Sequence, residues 1–337
     1  MKDKTRDTRF EILRIISMLF IVLCHFGIDG NWHNNVGITR LKTIQFHALG
    51  QVGVYIFVMI SGYFLSTRAT NLKKQINRVV PLWVEVVFYS WLILIIGFLI
   101  KFKSLNKITI IDSIFPISFS EYWFMTSFII LMLLLGPINQ FIATLNEKNF
   151  VLYFGIIFFF SGVIPVIKTF RAPFGGVMSF SILLSAYLIG AYLRKYNVKV
   201  NSSISIILII LGIGLEYLMM YLLRYKNITK FNYGLLPMIA AVGIFTLFLN
   251  LSPFYNRVIN YFSTSVLAVY LITCSEVLYY YYQKKVFNLG EFQDTPLLLI
   301  VEIAAAIISV IVLCLVDKIF RPIYLKISDK ILQNFVK

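Results

Sequence analysis

Apolar runs of about twenty residues recur from one end of this 337-residue chain to the other, and the polar segments between them are too short to hold a soluble domain. A helix rises about 1.5 Å per residue, so each run matches a hydrocarbon core of about 30 Å. Inside a bilayer every backbone N–H and C=O must bond within the protein, which makes the helix the natural spanning element for such runs. They predict helices near 10–29, 47–66, 80–101, 121–142, 150–168, 178–194, 203–223, 234–250, 262–283 and 296–317. The expected fold is all-α: a polytopic integral membrane protein of about ten transmembrane helices, with residues 1–337 forming one membrane-embedded domain. Composition agrees, since 59% of residues are hydrophobic, 14% are charged and the mean hydropathy is +0.82.

The net charge of +16 raises the question of nucleic acid, but the 31 Lys and Arg are scattered through short loops and gather on no single element. They are read as topology signals and lipid-headgroup contacts, with no nucleic-acid partner. Placing both termini in the cytoplasm puts 18 of them inside and 12 outside, with Arg14 within a span. Basic stretches such as Lys101 to Lys107 and Arg224 to Lys230 then fall on the outer side, and Asn31 to Gln45 becomes an outer loop. Lys2, Lys4, Arg6 and Arg9 before the first run resemble a signal-peptide start. Glu11, Arg14 and His25 interrupt that run and no small-residue cleavage site follows, so it is expected to stay as the first helix.

Cys24, Cys274 and Cys314 lie in apolar runs without pair spacing and read as inert thiols, with no metal site implied. Glycine-rich phosphate loops, HExxH and GxSxG do not occur.

Ionisable side chains inside a span are costly unless paired or facing a wet cavity, so each is a functional candidate. The first helix carries three. Glu11, Arg14 and His25 are separated by 3 and 11 residues, and eleven steps of 100° return to within about 20° of the starting direction, so one helix face presents all three. Arg14 and His25 stand roughly 16 Å apart along the axis. An arginine's planar fork suits phosphate oxygens, and a histidine deeper in the span exchanges a proton near neutral pH. The alternative is structural: Arg14 snorkelling to headgroups or pairing with Glu11, and His25 bonding a neighbouring helix. Residue chemistry alone leaves both open.

The sequence around these positions carries a resemblance. "RFEILRIISMLFIVLCHF" holds Arg14 and His25 in an R-x10-H arrangement that resembles the first helix of the acyltransferase 3 family of membrane proteins. "GQVGVYIFVMISGYFLS", with Phe57, Ser61, Gly62 and Tyr63, is similar to that family's second helix. "EYWFMTSFIILMLLLGPIN", with Trp123, Phe124 and Pro137, and "YLIGAYLRKY" at 187–196 are similar to later helices. The resemblance implies transfer of an acyl group, usually acetyl, from cytoplasmic acyl-coenzyme A to a hydroxyl of a carbohydrate such as a cell-envelope or exported polysaccharide or its lipid-linked precursor. It implies a multi-pass protein of a bacterial cell membrane, with acetyl-CoA or another acyl-CoA as donor substrate and no permanently bound cofactor. Departures occur at Gln75, where the family's Arg-x-x-Arg pair has its first arginine and Arg78 matches the second, and at Thr273, where a histidine is common. The chain ends soon after the tenth run, so no extracytoplasmic esterase-like domain is expected.

The expected catalytic residues are His25, matching the family's essential histidine and acting as base, and Arg14 in support. Arg14, Lys73, Lys74 and Arg78 are the candidate contacts to coenzyme A phosphates, with positive-inside topology as the competing reading of the last three. Ser61, Glu121, Tyr122 and Trp123 are the candidate substrate contacts. Against these stand helix packing at Ser61 and Gly62 and interfacial anchoring at the aromatic pair. His33 and His47 flank the first outer loop and read as exposed, ordinary histidines, while Glu85, Glu216, Glu276 and Glu302 sit in other spans with roles left open. Two other functions fit the polar spans: a polysaccharide or glycolipid transporter or flippase, and a structural or assembly role.

Overall fold

The structure is a computed structural model that describes residues 6–33, 37–68, 70–100, 105–119, 121–164, 175–222 and 234–336. Lys2, Lys4, the stretches 101–104, 165–174 and 223–233, and the side chain of Glu276 lie outside the described residues. Among the described residues no strand forms. The helices are α1 (Thr8–Asp29), α2 (Gly37–Thr43), α3 (Leu49–Leu65), α4 (Leu72–Leu99), α5 (Lys107–Ile114), α6 (Trp123–Leu133), α7 (Leu135–Thr144) and α8 (Glu147–Phe158), the last running into a π turn. They continue with α9 (Gly175–Lys195), α10 (Ser202–Leu222), α11 (Leu235–Leu249), α12 (Arg257–Ser263), α13 (Val266–Thr273), α14 (Glu276–Tyr281) and α15 (Leu298–Val336).

Four of these, α1, α4, α10 and α15, are long and apolar enough to cross a bilayer, and the bent pair α6–α7 makes a fifth if taken as one span. Shorter apolar helices, α3 and α11, complete the bundle. Several expected runs are divided or extended. The run at 121–142 bends by 61° between α6 and α7, where Pro137 lacks the N–H that would bond the carbonyl of Leu133. The run at 262–283 breaks at Cys274 and Ser275. The last run continues from a span into a 39-residue helix. At the other end of the scale, α4 begins at Leu72, earlier than apolar character suggests, because the Asn71 side chain caps it by accepting from the Lys74 N–H at 2.9 Å. Lys73 and Lys74, expected in a loop, are therefore helical.

The centre of the bundle is α3, packed between α1 and α9 and also against α11. Glycine makes that closeness possible: a Cβ on Gly62 would lie 2.1 Å from the Tyr187 carbonyl oxygen, and one on Gly190 would lie 2.2 Å from that of Met59. The Ser61–Gly62 step is thus a packing device at its glycine. Helix α13, buried along its whole length, sits beside α1, α4 and α15. The opposite faces are apolar and uncovered, as with Trp91, Ile95 and Phe98 on α4, Ile207 and Ile210 on α10, and Ile308 and Ile311 on α15. A water-facing surface of this kind would be unfavourable, and a lipid-facing one is not.

Candidate active site

Helix α1 starts where the Asp7 side chain accepts from the Arg9 N–H at 3.1 Å, and the Arg9 guanidinium pairs with the same carboxylate at 2.6 Å. One turn on, Glu11 is buried and accepts from Arg14 Nη1 at 2.5 Å and from the Ser263 hydroxyl at 2.6 Å. The ion pair foreseen as the structural alternative therefore exists. It does not sequester Arg14, whose side chain keeps 30% of its exposure and faces a cavity of about 780 Å³.

That cavity is bounded by α1, α3, α4, α6, the α12–α13 corner and α15, and five arginines border it: Arg6, Arg14, Arg68, Arg78 and Arg321. Asp7, Glu11 and Glu85 are the carboxylates on its wall, so cationic groups are in excess. Arg321 is held by the Thr264 carbonyl and by Asp317 at 3.4 Å, and the buried Asp317 also accepts from the hydroxyls of Tyr89 at 2.8 Å and Tyr324 at 3.0 Å. Arg78 differs: its Nη1 is buried and has no hydrogen-bond partner among the described residues. Three residues on, Pro81 leaves the Asn77 carbonyl without its helical donor, and Asn77, Arg78 and Pro81 all border the cavity. A pocket that offers unpaired guanidinium N–H groups and a surplus of positive charge suits a ligand with several phosphate oxygens.

Of the expected catalytic, coenzyme A and substrate contacts, Arg14, Arg78 and Ser61 meet at this cavity, together with Glu11, Phe57 and Glu85. The Ser61 hydroxyl lies 3.5 Å from the Phe57 carbonyl. Lys73 and Lys74 are exposed on the first turn of α4 and do not border it. Arg68 and Arg321 are not among the candidates read from the sequence, and Arg6 figures there only in the basic stretch before the first run. Arg321 arrives from the far end of the chain, so its sequence neighbourhood holds no sign of Arg14.

His25 lies well along α1, outside the cavity lining. Cys274, at the break between α13 and α14, approaches it, with Sγ 3.4 Å from Nε2 and 3.7 Å from Nδ1. The cysteine read as an inert thiol is thus a direct neighbour of the histidine. Tyr122 is fully buried and close enough to Cys274 and Glu121 to interact with both electrostatically; its ring packs on Tyr270 at 6.0 Å. Glu121 accepts from the Ser90 hydroxyl at 2.8 Å, and Trp123 packs edge-on to Phe124. These three residues do not border the arginine-rich cavity. His47, expected to be exposed, is buried and lies within electrostatic reach of His25. His33 is exposed, its N–H donating to Gln293.

One helix therefore carries an arginine in a cationic cavity and a histidine against a thiol in the packed interior. A family model described as an acyltransferase domain matches residues 7–316, a range that takes in Arg14, His25 and helices α1 to α14, and that ends within α15 before Arg321. The chain belongs to the acyltransferase 3 family. Its members are membrane acyltransferases, and the R-x10-H helix, the Ser-Gly helix and the Trp-Phe helix of this chain fall inside the matched range. No curated protein and no solved structure matches the chain.

Proposed function

We propose that this acyltransferase moves an acetyl group from cytoplasmic acetyl-CoA to a hydroxyl of a cell-envelope or exported polysaccharide, or of its lipid-linked precursor. The observation that carries the reading is the cavity at the Arg14 end of α1. Its five arginines, with an unpaired nitrogen on Arg78, suit the phosphates of a coenzyme A thioester. In this reading both termini are cytoplasmic, about ten segments cross the cell membrane of a bacterium, and the cavity opens toward the donor.

The proton chemistry falls to His25. A neutral imidazole takes the proton of the acceptor hydroxyl as its oxygen attacks the thioester carbonyl, and the carbon–oxygen bond forms. The tetrahedral intermediate then expels the coenzyme A thiolate, which collects that proton from the imidazolium, so no net proton is consumed. Roughly 16 Å along α1 separates the arginine from the histidine, a gap to be spanned by the donor's extended arm. A transporter or flippase without acyl transfer is the alternative; it shares the polar interior but has no need of a coenzyme A site.

The test is transfer of labelled acetyl from acetyl-CoA to envelope glycans in membranes carrying wild-type protein or His25→Ala at matched abundance. Label in the wild type that vanishes in the variant is the expected result. Equal labelling in both removes His25 from the mechanism, and no labelling in either moves the reading toward another donor or transport.

A further inference from the structure

Around His25 the structure holds a second set of polar side chains, away from the arginine cavity. The turn at 43–48 rests on the last turns of α1: a Cβ on Gly27 would stand 3.0 Å from the Thr43 carbonyl oxygen, and one on Gly50 would strike Cys24, the neighbour of His25. This turn brings in Gln45 and His47, and Gln51 follows one helical turn later at the start of α3. From α15, Glu302 joins them, its Oε2 accepting from Gln45 Nε2 at 2.7 Å. Arg40, on α2, lies within electrostatic reach of His47.

His47, Gln51 and Glu302 are 3%, 5% and 0% exposed. Even so, His47 Nδ1, Gln51 Oε1, Glu302 Oε1 and Arg40 Nε are buried without a hydrogen-bond partner among the described residues. A buried polar atom without a partner is unfavourable, and in a membrane protein such groups mark a substrate path or a wet cavity. Four of them on side chains brought together by one turn, with His47 within electrostatic reach of His25, are hard to explain by packing. Their chemistry narrows the ligand: the glutamine and glutamate oxygens accept, the arginine Nε–H donates, and the imidazole nitrogen takes either role. A phosphate would satisfy only the donor side, and an ammonium only the acceptor side. A polyol satisfies both, because each hydroxyl donates one bond and accepts others.

We infer that Arg40, Gln45, His47, Gln51 and Glu302 form the binding site of the sugar acceptor, holding a ring hydroxyl toward His25. This rests on the acyl-transfer reading for the role of the bound sugar, but not for the existence of the site. The glycan then enters on the opposite side of His25 from the arginine cavity, and donor and acceptor meet at the histidine without sharing a pocket.

The experiment uses the full-length protein in lipid nanodiscs, wild type and Gln51→Met, with labelled acetyl-CoA and a solubilised envelope-glycan fraction. Met fills the volume of Gln and removes the unpaired oxygen. Gln51→Met is expected to raise the KM for the glycan fraction at least tenfold, to leave the KM for acetyl-CoA within twofold, and to raise Tm in the absence of glycan. Glycan is expected to raise the Tm of the wild type and not that of the variant. Equal changes in both KM values, no change in either, or a fall in Tm at unchanged KM would overturn the site. Wild-type protein that is stabilised by glycan through Gln51 yet transfers no acetyl would sink the acyl-transfer reading and leave the polyol site standing.

Discussion

At the Arg14 end of α1, five guanidinium groups and three carboxylates border one open cavity, whereas His25, roughly 16 Å along the same helix, touches a cysteine thiol in a packed interior. At the first end two of the arginines are matched by carboxylates, Arg14 by Glu11 and Arg321 by Asp317, while Arg78 keeps a nitrogen without a partner among the described residues. At the second, neutral groups predominate and several hydrogen-bonding atoms are unused. The contrast follows from the cost of burying charge. Guanidinium groups can be gathered where a cavity admits water and carboxylates lie alongside, while a group that must accept and return a proton works best where its uncharged form is stable. A single rigid helix fixes the spacing between the two tasks.

Removing the proton-handling group gives the largest expected effect. His25→Ala should lower kcat for acetyl transfer by about 10²–10⁴-fold, the contribution of a general base, and leave the KM for acetyl-CoA near the wild-type value. Next comes the cavity. Arg78→Gln removes a buried cationic donor worth about 1.5–3 kcal/mol to a bound phosphate, so the KM for acetyl-CoA should rise roughly 10- to 100-fold with a smaller change in kcat. Steady-state kinetics on purified protein at matched abundance separates the two patterns, and a kcat defect in Arg78→Gln larger than its KM defect would blur the division.

Cys274 sharpens the comparison on the histidine side. Its thiol is a weak hydrogen-bond donor, so Cys274→Ala should reduce kcat by about 2- to 10-fold and Cys274→Ser by less. A loss as deep as that of His25→Ala would make the thiol a participant instead of a neighbour. Smallest of all is the effect expected at Lys73 and Lys74, which are exposed and clear of the cavity. The double change to Gln should alter the KM for acetyl-CoA by less than about twofold, the scale of exposed charge interactions.

Much of this was legible in the chain. Helix α1 and its three polar residues follow from an interrupted apolar run; Glu11 and Arg14 border the cavity, whereas His25 lies beyond it against Cys274. Arg78 and Ser61, named from the sequence, both border the cavity. What escaped was long-range: Arg321 and Glu302 reach their partners only through α15, and Cys274 meets His25 across 249 positions in sequence. Apolar periodicity is also silent on breaks. The capping of α4 by Asn71 turned a loop into helix and carried Lys73 and Lys74 away from the cavity. His47 was misjudged because a polar stretch reads as solvent-facing, yet its turn is pressed onto α1 at Gly27.

Binding of labelled acetyl-CoA to purified His25→Ala and Arg78→Gln, beside wild type, tests the division between the two ends most directly. His25→Ala should bind the donor as the wild type does while failing to transfer acetyl, and Arg78→Gln should bind it at least tenfold more weakly. Loss of donor binding in His25→Ala together with wild-type binding in Arg78→Gln would contradict the assignment of both ends of the helix.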